Sequence, residues 1–335
     1  MTETSAQPIP VLVTGGAGYL GGKLVRRLAE RDDLKIVVTD LRRPEKTDDS
    51  VIYEILDVRD PALHDLVAEH QIQVIVHLAA IVSPGRDREL EYSVDVDGTR
   101  NVLDACLKHG VRRLITTSSG AAYGYFSDNP EWLTEEHPLR ADDTFSYAWH
   151  KRLAEDMLAE ARQNHPELEQ VVFRPCTILG QGVSNRITLL FDRPWLVGVR
   201  GGDDRFVLVW DEDVARALET ALESSQTGVF NLAGDGALTM AELARRMGKP
   251  YRPLPAWLLK AVLFVGRRVG ATEYGPEQVR FLQFRPVLHN GRLKDELGFV
   301  PEKSSEQVFD LFLADRGLLD RGLLDRGSEA EEDEP

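Results

Sequence analysis

The chain has 335 residues, of which 42% are hydrophobic and 28% charged, and its formal net charge at pH 7 is -15. These values exclude a disordered polymer and argue against a nucleic-acid partner, because phosphate backbones are bound through Lys and Arg. The two cysteines, Cys106 and Cys176, are too few for a disulfide framework or a cysteine-rich zinc site.

No targeting segment is visible in the sequence. The first ten residues lack both the basic region and the apolar run of a secretory signal. The longest apolar stretch, Ala256 to Val265, is interrupted by Lys260 and is far shorter than the ~20 residues that span a bilayer. We therefore expect a soluble, cytoplasmic protein with no membrane span.

Strand-like and helix-like segments alternate over the first half of the chain. The predicted strands are short apolar runs at 11–13, 35–39, 51–56, 73–78, 113–117 and 170–173. The predicted helices cover 19–31, 61–70, 91–109 and 147–164. Strands that alternate with helices of this length predict βαβ units and a parallel sheet. We therefore predict an α/β fold with a doubly wound parallel sheet of Rossmann type over residues 1–175.

The pattern changes after Cys176, where Pro and Gly become frequent. Helices are predicted at 211–224, 240–247 and 256–265, and we expect a smaller, irregular substrate lobe over 176–314. A strand over 228–232 is expected to return to the main sheet. Residues 315–335 contain three Asp-Arg-Gly repeats and end in acidic residues, which predicts a disordered acidic tail without a catalytic role.

The segment from Thr14 to Gly21, TGGAGYLG, is the strongest local signal. It follows a predicted strand and precedes a predicted helix, and its glycines satisfy G-x-G-x-x-G. Glycines at such a turn let backbone N–H groups approach a pyrophosphate at the helix N-terminus. The segment therefore predicts a dinucleotide site.

An acidic residue closes the second predicted strand. Asp40 lies nineteen residues after Gly21, close to the spacing at which a carboxylate binds the ribose hydroxyls of NAD. A carboxylate there would repel a 2′-phosphate, so NAD is the favoured cofactor. Arg42 and Arg43 could neutralise that phosphate and keep NADP open as the less favoured alternative.

Three residues form the candidate catalytic set. Tyr147 and Lys151 are one helical turn apart, and a nearby ammonium favours the phenolate that a tyrosine base requires. Ser119 follows the predicted strand 113–117, at the strand end where ligands bind in open α/β sheets. Its hydroxyl could bond the substrate oxygen at the carbon that exchanges a hydride. No spacing of His, Cys, Asp or Glu indicates a metal site.

Several motifs together resemble one family. They are TGGAGYLG, Asp40, Asp57-Val58, His77-Leu78-Ala79-Ala80, the Ser119/Tyr147/Lys151 set and Phe173-Arg174-Pro175. In combination they resemble the extended short-chain dehydrogenase/reductases, and most closely the NAD-dependent epimerase/dehydratase group typified by UDP-glucose 4-epimerase. The resemblance covers residues 9 to 313.

The resemblance implies a role for each matching position. Cofactor contacts fall at Gly15, Gly18, Tyr19, Leu20, Gly21, Asp40, Asp57, Val58, Leu78, Ala79, Ala80, Tyr147 and Lys151. Within this set, Asp57 and Val58 correspond to the adenine contacts. Ser119 corresponds to the hydroxyl that polarises the reacting oxygen, and Arg205 and Arg285 to arginines that meet a substrate diphosphate.

Two departures keep the function open. Asp95 stands where the family commonly has Asn, and Pro253 to Val265 is more similar to members that act on steroid-like or other alcohols. The first hypothesis is a nucleotide-sugar epimerase/dehydratase that transfers a hydride transiently to bound NAD. The alternative is an NAD(P)-dependent dehydrogenase/reductase of a hydroxyl or keto substrate with net cofactor turnover. The resemblance also implies a homodimer built on helices 91–109 and 147–164.

Overall fold

The computed structural model describes residues 7–82, 85, 87–183, 187–202, 204–272 and 274–318. Its strands follow one another in chain order. They are β1 (Ile9–Thr14), β2 (Leu34–Asp40), β3 (Val51–Ile55), β4 (Val74–His77), β5 (Arg113–Thr117), β6 (Glu169–Pro175), β7 (Thr177–Leu179), β8 (Leu196–Val199), β9 (Arg205–Phe206), β10 (Leu208–Trp210), β11 (Gly228–Leu232), β12 (Leu238–Thr239) and β13 (Tyr251–Leu254).

Helices separate these strands. They are α1 (Tyr19–Leu28), α2 (Ala62–Glu69), α3 (Arg88–Tyr92), α4 (Gly98–His109), α5 (Ser146–Asn164), α6 (Thr188–Phe191), α7 (Asp211–Glu223), α8 (Met240–Arg246), α9 (Ala256–Arg268), α10 (Gln278–Gln283), α11 (Gly291–Asp295) and α12 (Ser305–Asp315). A π turn, Ser93–Asp97, joins α3 to α4, and a 3₁₀ turn, Gly120–Tyr123, follows β5.

Seven parallel strands form the central sheet in the order β11-β6-β5-β4-β1-β2-β3. Because β1 has β2 on one side and β4 on the other, the strand order reverses at β1. Ligands of open α/β sheets bind at the carboxyl ends of strands beside such a reversal. The predicted doubly wound α/β fold is confirmed, and the strand expected at 228–232 returns to the sheet as β11, beside β6.

Helices cover both faces of the sheet. Val11 and Val13 of β1 point into an apolar core shared with α1 and α7, whereas Leu12 points into the opposite core, shared with α2, α4 and α5. This alternation is the period of a β-strand, and all three side chains are fully buried. The buried layers hold the carboxyl ends of β1, β4 and β5 in fixed relative positions.

The helix predicted at 91–109 differs from the expectation in two ways. It begins three residues earlier, at Arg88, and it contains the π turn Ser93–Asp97. A π turn accommodates an additional residue, a feature that apolar spacing does not reveal. The helix ends at Gly110, whose φ of 66° is the left-handed conformation that favours glycine.

The second half of the chain adds small sheets and its own core. β7 pairs with β10 and β8 with β13 in parallel, and β9 pairs with β12 in antiparallel orientation. Phe191, Phe206, Phe309 and Phe312 are fully buried in the centre of this part. The chain remains ordered as a helix to Asp315, and Arg316 binds Asp192 at 2.8 Å. Residues 319–335 of the predicted tail lie outside the described residues. Among the described helices, none combines the length and apolarity needed to cross a membrane.

Candidate active site

The glycine loop connects β1 to α1 in a conformation that a side chain would disturb. Gly15 has a φ of 72°, and a Cβ built on it would lie 2.7 Å from the backbone nitrogen of Ala79. A Cβ on Gly21 would collide with the carbonyl oxygen of Gly15. Gly18 precedes the helix without a side-chain cap, so the first N–H groups of α1 remain available to an anion. The loop therefore fits a pyrophosphate.

Two other residues of this segment are held by their side chains. Leu20 packs against the core beneath α1. The Tyr19 hydroxyl donates to the carboxylate of Asp211, which begins α7, and also to the carbonyl of Gln181 at 3.3 Å. Burial and this carboxylate raise the pKa of Tyr19 above its usual range. The Tyr19 side chain thus connects the glycine loop to the second half of the chain.

Asp40 lies at the carboxyl end of β2, directly across from the glycine loop. One carboxylate oxygen accepts from the backbone of Ala17 at 3.1 Å, and the other accepts from Leu41 at 2.7 Å. Arg43 stacks on the ring of Tyr53, with its guanidinium carbon 5.7 Å from the ring centroid. The Asp40 carboxylate is therefore held beside the glycine loop, whereas the Arg43 guanidinium packs on Tyr53.

The remaining predicted cofactor residues border the same groove. The backbone of Leu78 donates to the carbonyl of Thr14 at 3.1 Å, which places Leu78, Ala79 and Ala80 beside the glycine loop. Asp57 is bound by Arg59 through contacts of 2.6 to 3.1 Å, and this guanidinium lowers the pKa of Asp57. Val58 is buried below them.

The predicted catalytic residues are brought together by β5 and α5. Ser119 begins the 3₁₀ turn after β5, and its hydroxyl accepts from the backbone of Ala121 at 3.1 Å. Tyr147, in the first turn of α5, has its hydroxyl close to the Ser119 side chain, which acts to lower the pKa of Tyr147. Lys151 lies one turn further, with Nζ 5.9 Å from the Tyr147 ring centroid and donating to the carbonyl of Thr117 at 2.9 Å.

The electrostatics of this set differ from the expectation that Lys151 brings the Tyr147 pKa toward neutrality. Burial raises the pKa of Tyr147 to about 12; the Ser119 hydroxyl acts in the opposite direction, and the charge of Asp95 raises the pKa further. Burial also lowers the pKa of Lys151. Desolvation thus outweighs the effect of Ser119, and the protein's own groups keep Tyr147 protonated at neutral pH.

A buried pair not predicted from the sequence lies beside this set. Asp95, in the π turn, accepts from the backbone of Ile81 at 2.7 Å through one oxygen. Its other oxygen lies 3.4 Å from Nδ1 of His150, and both side chains are 2% exposed. His150 immediately precedes Lys151. The sequence showed that Asp95 replaces the usual Asn of the family. Only the fold shows that His150 is the histidine that contacts this carboxylate.

The two predicted substrate arginines occupy different environments. Arg205 donates to the Glu131 carboxylate at 3.2 Å and to the backbone carbonyl of Glu131 at 3.1 Å. Arg285 is buried, with its guanidinium carbon 4.0 Å from the Phe206 ring centroid and 4.3 Å from that of Phe281. Within the described chain, Nη1 of Arg285 has no hydrogen-bond partner.

Arg285 is connected to the segment of the predicted catalytic Tyr147 through aromatic rings. Phe281 packs edge-on against Tyr125 at 5.1 Å, and Tyr125 packs against Phe145, two residues before Tyr147, at 4.8 Å. Burial lowers the pKa of Arg285 to about 10, and Tyr125 opposes this shift only in part. A buried cation with an unsatisfied donor is costly unless an anion binds it. This side of the site therefore suits an anionic ligand.

Comparisons with known proteins agree with this geometry. The sequence profile of the NAD dependent epimerase/dehydratase family matches residues 11–233, and the chain therefore belongs to that family. It is an enzyme family of the extended short-chain dehydrogenase/reductase type, as the sequence motifs predicted.

Similar proteins extend over most of the chain. An uncharacterized protein of Mycobacterium tuberculosis strain H37Rv is 26% identical over 326 residues, which is 95% of this chain and 86% of that protein. Mouse UDP-glucose 4-epimerase is 31% identical over 198 residues, 53% of this chain and 56% of the mouse protein.

Solved structures show the same fold. UDP-glucose 4-epimerase of Thermus thermophilus, in complex with NAD, has a TM-score of 0.70 and 25% identity, covering 93% of this chain and all of that one (100%). UDP-glucose 4-epimerase of Thermotoga maritima with UDP-glucose has a TM-score of 0.71 and 21% identity, covering 92% and 99%.

Proposed function

We propose that the chain is an NAD-dependent epimerase or dehydratase of a nucleotide sugar, with Ser119, Tyr147 and Lys151 as its catalytic residues. The observation that carries the proposal is the convergence of these three side chains at the carboxyl end of β5, beside the groove that begins at the glycine loop. This is the edge of the sheet at which a nicotinamide would meet a substrate.

The groove fits the dinucleotide in three respects. The backbone of Gly15 leaves no room for a side chain, the first turn of α1 presents free N–H groups, and Asp40 offers a carboxylate to ribose hydroxyls. The same carboxylate disfavours a 2′-phosphate, which supports NAD over NADP. When bound, NAD⁺ accepts a hydride from the substrate carbon and can return it.

The chain's own residues would handle the substrate oxygen. Tyr147 takes the proton of the reacting hydroxyl, and Ser119 holds that oxygen by a hydrogen bond. The Lys151 ammonium, fixed by the carbonyl of Thr117, stabilises the phenolate form that Tyr147 must pass through. The positive charge of a bound nicotinamide would, like the Lys151 ammonium, lower the pKa of Tyr147 and so oppose the desolvation that raises this pKa.

Arg285 supports a nucleotide sugar as the substrate class. A guanidinium that is buried, and that among the described residues has no carboxylate partner and no acceptor for Nη1, matches the needs of a diphosphate. A nucleotide sugar carries such a diphosphate next to the sugar that reacts. An uncharged alcohol would leave this cation uncompensated.

The alternative, a dehydrogenase with net turnover of NAD(P), is favoured by one observation. Net oxidation releases a proton that must leave the site, whereas an epimerase returns it to the substrate. Asp95 and His150 form a buried acceptor pair beside Lys151 and could carry that proton outward. The apolar segment Pro253 to Val265 also favours this alternative, because it is more similar to family members that act on steroid-like or other alcohols.

Mass spectrometry of the nucleotide released on denaturation tests the cofactor. The proposal expects NAD in near-stoichiometric amount, because a transient hydride carrier must stay bound. In a second experiment, the protein is mixed with UDP-sugars and dTDP-sugars. The absorbance of reduced nicotinamide is followed, and the sugars are analysed by chromatography. Sugar conversion without accumulating NADH supports the epimerase/dehydratase; steady NADH production rejects it in favour of the dehydrogenase.

We also propose a homodimer, as the family resemblance implies. In the fold, α4 packs beside α5, so these helices could form half of a four-helix interface with a second copy. Light scattering at micromolar concentration tests this directly, and a monomeric mass would reject it.

A further inference from the structure

Helix α9 presents an apolar surface to solvent. None of its thirteen residues is buried, although the helix contains seven large apolar side chains. Trp257, Phe264 and Val265 are 70%, 60% and 57% exposed. Val269, just after the helix, is 70% exposed. A soluble domain rarely leaves such a contiguous apolar surface without a partner.

The exposed side chains form one stripe along the helix. Trp257, Ala261, Phe264 and Val265 follow one another at helical spacing, which places them on one side of α9. Lys260 and Arg267 flank this stripe, and Arg268 stands at its end. We call the exposed stripe with these three cations the α9 face.

The charge around the α9 face is opposite to that of the whole chain. Helix α9 contains Lys260, Arg267 and Arg268 and no Asp or Glu, in a chain whose net charge is -15. Arg252 is exposed and stacks on Trp195, and Arg267 is exposed and pairs with Glu277. A local excess of cations beside exposed aromatic and aliphatic side chains suits a surface that is both anionic and apolar.

We propose that the α9 face binds the surface of an anionic lipid bilayer. The helix is about 20 Å long, too short to cross a membrane, so it would lie in the plane of the interface. Trp257 and Phe264 would enter the boundary between headgroups and acyl chains, and Lys260, Arg267 and Arg268 would contact lipid phosphates. Aromatic residues on one face with flanking basic residues are the features of interfacial helices.

The attachment would also orient the catalytic site. α9 contacts α10, and Phe281 of α10 belongs to the aromatic wall that leads through Tyr125 and Phe145 to the Tyr147 segment. A chain held by the α9 face would therefore keep this wall on the side near the bilayer. This part of the inference rests on the proposed function, whereas bilayer binding itself does not.

Co-sedimentation of the full chain with vesicles tests the inference. We expect binding to phosphatidylglycerol vesicles at least about tenfold stronger than to phosphatidylcholine vesicles, and weaker binding in high salt, since each basic residue near the surface adds an electrostatic attraction. Phe264→Asp should reduce binding to phosphatidylglycerol about tenfold or more. The matched control is Val300→Asp, which places the same charge at an apolar residue that is 58% exposed outside α9.

Both variants should fold, because neither side chain is buried. Circular dichroism and thermal melting check this. The inference is overturned if the wild-type chain does not bind phosphatidylglycerol vesicles, or if Phe264→Asp binds them no more weakly than the control Val300→Asp does. It is also overturned if light scattering shows a dimer that Phe264→Asp dissociates while no lipid binding is found, because the α9 face would then belong to a second copy. All these measurements are independent of enzymatic activity.

Discussion

The carboxylate of Asp95 lies 3.4 Å from Nδ1 of His150, and both side chains are almost completely withdrawn from solvent. His150 immediately precedes Lys151, the proposed catalytic lysine, in α5. The charge of Asp95 raises the pKa of both Tyr147 and Lys151. A residue that touches neither the phenol nor the ammonium can thus set the pH at which they work.

Asp95→Asn should move the pH dependence of the reaction toward lower pH. The substitution keeps an acceptor for the backbone of Ile81 but removes the negative charge that raises the Tyr147 pKa, so the phenolate forms at lower pH. We expect the acid limb of kcat/KM to shift down by up to about 1 pH unit. Asp97→Asn, an exposed residue of the same turn, is the control and should leave the profile in place. An unchanged or upward-shifted limb in Asp95→Asn would contradict this account.

Tyr147→Phe should abolish most of the activity without releasing the cofactor. Only the hydroxyl is removed, and general acid–base catalysis by such a group accounts for roughly 10²- to 10⁴-fold in rate. Steady-state kinetics gives the loss in kcat, and mass spectrometry of the bound nucleotide shows whether the groove is intact. Tyr274→Phe, at a tyrosine that is 42% exposed, is the matched control. If Tyr147→Phe keeps its rate, the assignment of the acid/base residue is wrong.

The sequence predicted the central sheet well because most of its strands contain two or more adjacent apolar residues. β1, β4 and β5 are buried on both faces, so composition alone marks them. The small sheets were not predicted. β9 and β12 have two residues each and pair across more than thirty residues of chain, so their pairing depends on tertiary packing and leaves no local pattern.

The candidate site was predictable to a similar extent. Ser119, Tyr147 and Lys151 stand at fixed positions relative to a strand end and a helix, and the fold brings them together. The surroundings of these groups could not be inferred in the same way. Desolvation, which raises the pKa of Tyr147, depends on every segment packed over it, and the enclosure of Arg285 by Phe206 and Phe281 joins distant parts of the chain.

Arg285→Met should weaken binding of a nucleotide sugar without destabilising the protein. The guanidinium is buried, Nη1 has no partner in the part of the chain that the structure describes, and burial lowers the pKa to about 10, so the cation costs folding energy at neutral pH. Methionine keeps an apolar side chain of similar length among the rings. We expect KM to rise roughly 10- to 100-fold, since a hydrogen bond to a charged group contributes about 1.5–3 kcal/mol.

Two measurements on Arg285→Met separate binding from folding. Kinetics should show the effect mainly in KM, with kcat little changed, and the midpoint of thermal unfolding should stay constant or rise. Arg245→Met, at an exposed arginine of α8, serves as the control for loss of one positive charge. A clear fall in unfolding temperature with unchanged KM would show that Arg285 is structural.

Gly21→Ala and Gly22→Ala should have opposite effects on stability, although the two glycines are neighbours in α1. A Cβ on Gly21 would collide with the carbonyl oxygen of Gly15, so the glycine loop must move and the cofactor site opens. A Cβ on Gly22 would find only the carbonyl oxygen of Gly16, at 3.8 Å, which is an ordinary contact. Alanine is favoured over glycine inside a helix by about 1 kcal/mol, so Gly22→Ala should be slightly stabilising. Overpacking at Gly21 should cost about 1–3 kcal/mol and exceed that gain.

Calorimetric titration with NAD and thermal unfolding check this pair of variants. We expect Gly22→Ala to bind NAD as the wild type does and to unfold at the same or a higher temperature. Gly21→Ala should lose most of its affinity for NAD and unfold at a lower temperature, because the same collision displaces Gly15 from its contact with Ala79. Equal affinity in the two variants would mean that the close approach of α1 to the glycine loop is not what holds the pyrophosphate.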